Sequence, residues 1–97
     1  MANEQEGPLT ECVKRLVMMR EGDPTRAEAL AEFQQQFEAT LAALGWTQRG
    51  LARMIGKQEK QLRRWKLSGD FPLDLAKSLD QRVIYSRQHP LVASDSP

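Results

Sequence analysis

The sequence has very few residues that could form a disulfide, a zinc site or a nucleophilic catalytic pair. It contains one cysteine, Cys12, and one histidine, His89, which are far apart along the chain. A single thiol cannot form a disulfide within the chain, and one Cys with one His makes neither a zinc site nor a convincing nucleophile and base pair. Long apolar runs and signal-peptide patterns are also missing. We therefore expect a cytoplasmic protein without metal, cofactor or catalytic activity.

The chain is short, which limits what it can fold into. Its 97 residues make at most one ordinary domain, and a chain of this size buries only about 60% of its unfolded surface. The apolar share of 40% is enough for one modest core, and the charged share of 28% gives a polar surface. No β-hairpin signal and no internal repeat is present. We expect an all-α fold without a deep catalytic cleft.

The net charge of +1 hides a strong asymmetry along the chain. Residues 1–44 carry four basic and eight acidic side chains, and residues 68–97 carry three basic and four acidic ones. Residues 45–67, which we call the basic segment, carry Glu59 as their only acidic residue against seven basic residues: Arg49, Arg53, Lys57, Lys60, Arg63, Arg64 and Lys66. Such a segment fits either a solvated helix face or a surface that binds phosphates.

A first amphipathic helix is predicted near the N-terminus, after a frayed start at residues 1–7. Thr10 is a candidate cap, and the pattern stops at Gly22. Asp23 and Pro24 are predicted to begin the next helix, as its side-chain acceptor and its first residue. The apolar positions of the first helix recur at helical spacing: Leu9, Cys12, Val13, Leu16 and Val17.

Further helices are predicted along the rest of the chain. One runs from Thr25 to Leu44 and ends at Gly45, and a short one follows an N-cap at Thr47. Gly56 ends that short helix after Met54 or Ile55, and another runs from about 58 to 67. Pro72 can open a last helix, whose periodicity fades after Ser86. We predict a compact bundle of four to five helices: an N-terminal extension at 1–22, a domain at 23–86 and a flexible tail at 87–97.

The apolar stripes of these helices predict a single shared core. Ala52 is small where two helices would cross closely, and Gly56 can adopt a positive φ in the turn that follows. Trp65 is expected inside the core and Trp46 at a helix junction, although both could also stack on bases. The predicted core contains nine residues: Phe33, Phe37, Leu41, Leu51, Ala52, Ile55, Leu62, Trp65 and Leu79.

The region from about Gly45 to Gly69 resembles the lambda-repressor-like helix-turn-helix family, also called the XRE or Cro-type family. The resemblance extends from about Phe37 to Leu79. It departs from the family pattern at Gly50, Lys57 and Gln58, where a helix former, an apolar residue and a capping Ser or Thr are usual. The matching positions are Leu44-Gly45, Thr47-Gln48, Leu51-Ala52, Ile55-Gly56, Leu62, Arg64-Trp65, Ser68-Gly69 and Pro72.

This resemblance implies a bacterial or phage-type transcriptional repressor that binds double-stranded DNA as a homodimer. It implies that Gln48 bonds a phosphate and that Glu59, Lys60 and Arg64 reach base edges in the major groove. Lys and Arg can donate to guanine, and Glu can accept from cytosine. Three other basic side chains nearby are assigned to phosphates, which orient a protein without reading sequence: Arg49, Lys57 and Arg63.

A protein-interaction module is the alternative function. Residues 9–20 could bind a partner protein, as in an antitoxin, or strengthen a homodimer, or pack on their own domain. Met18 and Met19 could form an adaptable partner surface, or one could fill the core while the other is exposed.

Overall fold

The computed structural model describes residues 7–20 and 22–88, which form five helices and no strand. The all-α prediction is confirmed. The helices are α1 (Pro8–Met18), α2 (Arg26–Leu44), α3 (Gln48–Ile55), α4 (Glu59–Ser68) and α5 (Leu73–Gln88). Helix α2 lies at the centre, since it contacts α1, α4 and α5, while α1 also packs on α5 and α3 packs on α4.

Aromatic side chains form the middle of the core. Phe33 and Phe37 of α2 lie 5.6 and 5.4 Å from the ring of Phe71, and Trp65 of α4 meets Phe71 edge to face at 5.8 Å. Seven of the nine predicted core residues are buried, and Ile55 and Trp65 are half-buried against them. Phe71 is buried as well but was not among the predicted core residues, because it precedes Pro72 outside any periodic stripe.

Helix α1 differs from its prediction at both ends. It begins at Pro8, and Thr10 is a buried residue of its first turn rather than its cap. It ends at Met18, whereas the sequence pattern continues to Gly22. Leu9 and Leu16 are buried against the chain's own core, but Val17 is 68% exposed, because it lies off the stripe that faces α2 and α5. Within the described residues, the inner face of α1 thus packs on its own chain, and the domain boundary at 22/23 stays a prediction.

The turn before α2 also differs from the prediction. The helix begins at Arg26 with Thr25 as N-cap, so Pro24 is not its first residue. Asp23 accepts hydrogen bonds from the hydroxyl and the backbone amide of Thr25, which lower the pKa of its carboxyl group. The chain therefore makes one further turn before the helix starts.

The α3 region follows its prediction closely. Thr47 accepts a hydrogen bond from the Gly50 amide at 2.9 Å, as an N-cap does. Gly56 has φ +71°, a left-handed conformation that costs glycine little, and the Lys57 amide bonds the carbonyl of Ala52. Helix α4 starts at Glu59 with Gln58 as its N-cap, in agreement with the predicted start at about 58.

The two ends of the chain bear on two further predictions. Helix α5 continues through Gln88, beyond Ser86 where the sequence periodicity fades. The frayed start falls almost wholly on residues 1–6, and most of the predicted tail, with His89, falls on 89–97. Both ranges lie outside the described residues.

Candidate nucleic-acid interface

Helix α4 has one face in the core and one face in solvent. Leu62 is fully buried and Trp65 is half-buried, and both lie on the core side. The exposed side carries four charged side chains that the sequence singled out: Glu59, Lys60, Arg63 and Arg64. Lys60, Arg63 and Arg64 are exposed because α-helical geometry places them away from Leu62 and Trp65, and Glu59 is exposed as the first residue of the helix. A partner can therefore reach all four without disturbing the core.

The other predicted contact residues flank this face along the chain. Gln48 is the first residue of α3 and is half-buried, while Arg49 and Lys57 are exposed at the start of α3 and in the turn before α4. Arg53, in the last turn of α3, is also exposed but received no role from the sequence. Its position in the basic segment is the signal that could have included it.

A surface groove of about 720 Å³ joins three of the predicted contact residues. Gln48, Glu59 and Arg63 line it together with Gln34 and Glu38 of α2. Lys60, Arg64, Arg49 and Lys57 do not line it. The predicted residues therefore fall into a groove set and an exposed set.

Lys66 belongs to the basic segment but faces α2. Its ammonium group pairs with the carboxylate of Glu38 and lies 5.9 Å from the centre of the Phe37 ring. Its side chain is only 21% exposed. The charge count of the basic segment therefore overstates the number of cations that are available to a partner, because Lys66 is already paired within the fold.

Trp46 lies where the sequence predicts it, at the junction between α2 and α3. It is half-buried and packs against the core, and the guanidinium of Arg82 lies 5.6 Å from its ring centre. This contact has the geometry of a cation–π interaction. One face of the indole is thus occupied by α5, which favours packing over base stacking for this residue.

The rare catalytic and metal-ligand residue types form no cluster in the part of the chain that the structure describes. No three His, Cys, Asp or Glu side chains there could hold a metal ion. Cys12 is half-buried, and burial together with nearby Glu32 raises the pKa of its thiol, which keeps the less nucleophilic protonated form. It contacts the core as a small apolar residue, as predicted.

Two further observations bear on what kind of protein this is. No helix among the described residues is long and apolar enough to cross a membrane. The exposed charges of α4 stand on a helix whose other side is anchored in the core. In comparisons with known proteins, no family model, no curated protein and no solved structure matches this chain.

Proposed function

We propose that this protein binds double-stranded DNA sequence-specifically by inserting α4 into the major groove, and that it acts in the cytoplasm as a transcriptional repressor on an operator. The observation that carries the proposal is the division of α4 into a core face and an exposed, mainly basic face. A helix anchored in this way can enter the groove without unfolding, and the major groove is wide enough for one helix.

Three charged residues on the exposed face of α4 supply the groups that read bases: Glu59, Lys60 and Arg64. Lys60 and Arg64 are four residues apart, so they project from neighbouring turns of one helix face. Both can donate to guanine O6 and N7, and Glu59 at the helix start can accept from a cytosine amino group. This is consistent with recognition helices, which contact base edges mainly through their N-terminal residues.

The residues around this face supply phosphate contacts. Gln48 and Arg63 lie in the groove beside α4, and Arg49 and Lys57 are exposed at its two neighbouring segments. Phosphate contacts fix the position of the protein on the duplex without reading bases. The same side chains also supply the salt-dependent part of the affinity.

Binding to random and selected duplexes tests the proposal. A salt titration on a random duplex measures the electrostatic affinity, and repeated selection from a random pool then finds any preferred site. We expect one preferred sequence bound at least about a thousandfold more tightly than random DNA. No preference after selection would contradict sequence-specific binding.

Replacing Arg49 and Lys57 with alanine is expected to weaken binding to every duplex by a similar factor. Each phosphate contact that is lost lowers the slope of log affinity against log salt by about 0.9. Arg20→Ala is the matched control, since Arg20 is exposed but lies outside the basic segment. If the salt slope stays unchanged in Arg49→Ala and in Lys57→Ala, as in the control, these two residues are not part of the interface.

A homodimer is expected on the operator, because one short recognition helix reads only a few base pairs. Two copies related by a two-fold axis would bind half-sites about one helical turn apart. Sedimentation of the protein with its selected duplex, and footprinting of that duplex, measure the stoichiometry and the symmetry of the site. A single bound copy on a site without two-fold pattern would contradict this expectation.

A protein-interaction function is the second candidate, favoured by the exposure of two apolar side chains at the end of α1. Val17 is 68% exposed and Met18 83% exposed, whereas Met19 packs against the core. In this alternative the chain is an antitoxin-like module, and the partner protein that it binds would cover these two side chains. Failure to bind any duplex even at low salt would favour this candidate over DNA binding.

A further inference from the structure

One stripe of α2 contacts the last turn of α4. We call the four residues Arg26, Leu30, Gln34 and Glu38 the α2 stripe. They are spaced four apart and therefore lie along a single side of the helix. Each of them contacts α4 or the glycine that ends it.

Two members of the α2 stripe satisfy backbone carbonyls of α4. Gln34 Nε2 donates to the Lys66 carbonyl at 2.9 Å, and Arg26 Nη2 donates to the Ser68 carbonyl at 3.1 Å. The last four carbonyls of an α-helix have no partner within the helix. Helix α2 thus caps the end of α4 from the side, where these groups are partly buried.

The other two members hold the same turn by packing and charge. A Cβ on Gly69 would lie 3.2 Å from Leu30 Cδ1, so the α4 end and α2 approach closely. Glu38 pairs with the ammonium group of Lys66, which brings the side chain of that residue to α2 as well as its carbonyl. The last turn of α4 is therefore fixed at several points on one helix.

We infer that Gln34 and Arg26 are positioning residues for DNA reading, which set the tilt of α4 through its last turn. This inference rests on the proposed function. The turn at Gly56 holds the start of α4 next to α3, and the α2 stripe holds its end. Neither Gln34 nor Arg26 needs to touch DNA for this role.

Helix geometry shows why a small change at this contact matters. At about 1.5 Å per residue, α4 is about 15 Å long, so a shift of about 1 Å at its end moves the middle by about 0.5 Å. Arg64 lies near that middle. A recognition group must be held to within about 0.5 Å of its productive position. A shift of this size at the end of α4 is therefore sufficient to impair base reading.

Gln34→Met tests the inference, because methionine keeps the length of the side chain and removes the donor. Gln35→Met is the control, since Gln35 is an exposed glutamine on the same helix. In Gln34→Met we expect the preference for the selected duplex over random DNA to fall about five- to tenfold, the effect of about one hydrogen bond. The affinity for random DNA and its salt slope should stay at the wild-type values, and Gln35→Met should change none of these quantities.

Hydrogen exchange of the free protein gives a readout that does not depend on DNA. We expect the amides of Lys66 to Gly69 to exchange faster in Gln34→Met than in Gln35→Met, with both proteins folded by urea titration. A lower free energy of unfolding with an unchanged duplex preference would overturn the inference, because Gln34 would then only stabilise the fold. If the wild-type protein prefers no duplex, the proposed function fails, and the role of Gln34 and Arg26 in DNA reading fails with it. If the wild-type protein does prefer one duplex, unchanged exchange in Gln34→Met overturns the inference alone.

Discussion

Replacing Asp80 with alanine is expected to destabilise the fold by about 2 to 4 kcal/mol, because it removes a buried carboxylate with three hydrogen bonds. Asp80 is 2% exposed and lies on α5. It accepts bonds from the amides of Leu9 and Thr10 at 3.3 and 2.7 Å and from the Thr10 hydroxyl at 2.6 Å. Urea unfolding of wild type and variant measures the difference.

The size of this effect follows from the place of the carboxylate in α1. The amides of Leu9 and Thr10 are the second and third of the helix, which an N-cap side chain normally satisfies. The N-cap here is Gly7, which has no side chain, and a Cβ there would lie 2.6 Å from Asp80 Cγ. Asp80 therefore takes the space and the function of the missing cap, and alanine leaves buried donors without an acceptor.

Two comparison variants separate this cap from a general effect of charge. Asp74→Ala removes an exposed carboxylate from the same helix and should change the free energy of unfolding by less than about 0.5 kcal/mol. Thr10→Val removes only the hydroxyl donor and should cost about 1 kcal/mol. Equal losses for Asp80→Ala and Asp74→Ala would show that the buried bonds contribute nothing specific.

The sequence predicted best those elements whose signals are local. Thr47, Gly45 and Gly56 define α3 by capping and turn chemistry within a few residues of its ends, and the structure has them in those roles. The start of α1 was mispredicted because its cap comes from Asp80, about seventy residues away. A cap supplied by tertiary contact leaves no pattern near the helix, although the Gly7-Pro8 pair does mark its start.

The same distinction applies to the candidate interface. Helical spacing from Leu62 and Trp65 is enough to place Lys60 and Arg64 on the solvent side of α4, where the structure has them, because burial on one side of a helix fixes the other. The pairing of Lys66 with Glu38 was not predictable, since it depends on how α2 crosses α4. Composition gives the number of charges in a segment, and only packing decides which of them remain available.

The double variant Lys60→Ala, Arg64→Ala is expected to lose about 2 to 5 kcal/mol of binding to the preferred duplex, which is about thirtyfold or more in affinity. Each side chain can make a bidentate contact to guanine worth about 1 to 3 kcal/mol, and neighbouring losses need not add. Both residues are exposed, so the free energy of unfolding should stay close to the wild-type value. Titration of selected and random duplexes at one salt concentration measures the effect.

A comparison with random DNA distinguishes base recognition from non-specific binding in this variant. If Lys60 and Arg64 meet base edges, affinity for random duplexes should fall much less than affinity for the preferred site, and the single variants should relax discrimination at different base pairs. The double variant Arg49→Ala, Lys57→Ala is the matched comparison, because it removes the same number of exposed charges from the flanking segments. This variant should lose a similar factor of affinity for the preferred duplex and for random DNA. Equal losses on preferred and random DNA for both double variants would mean that the basic face holds DNA without reading it, and the protein would then be a non-specific binder.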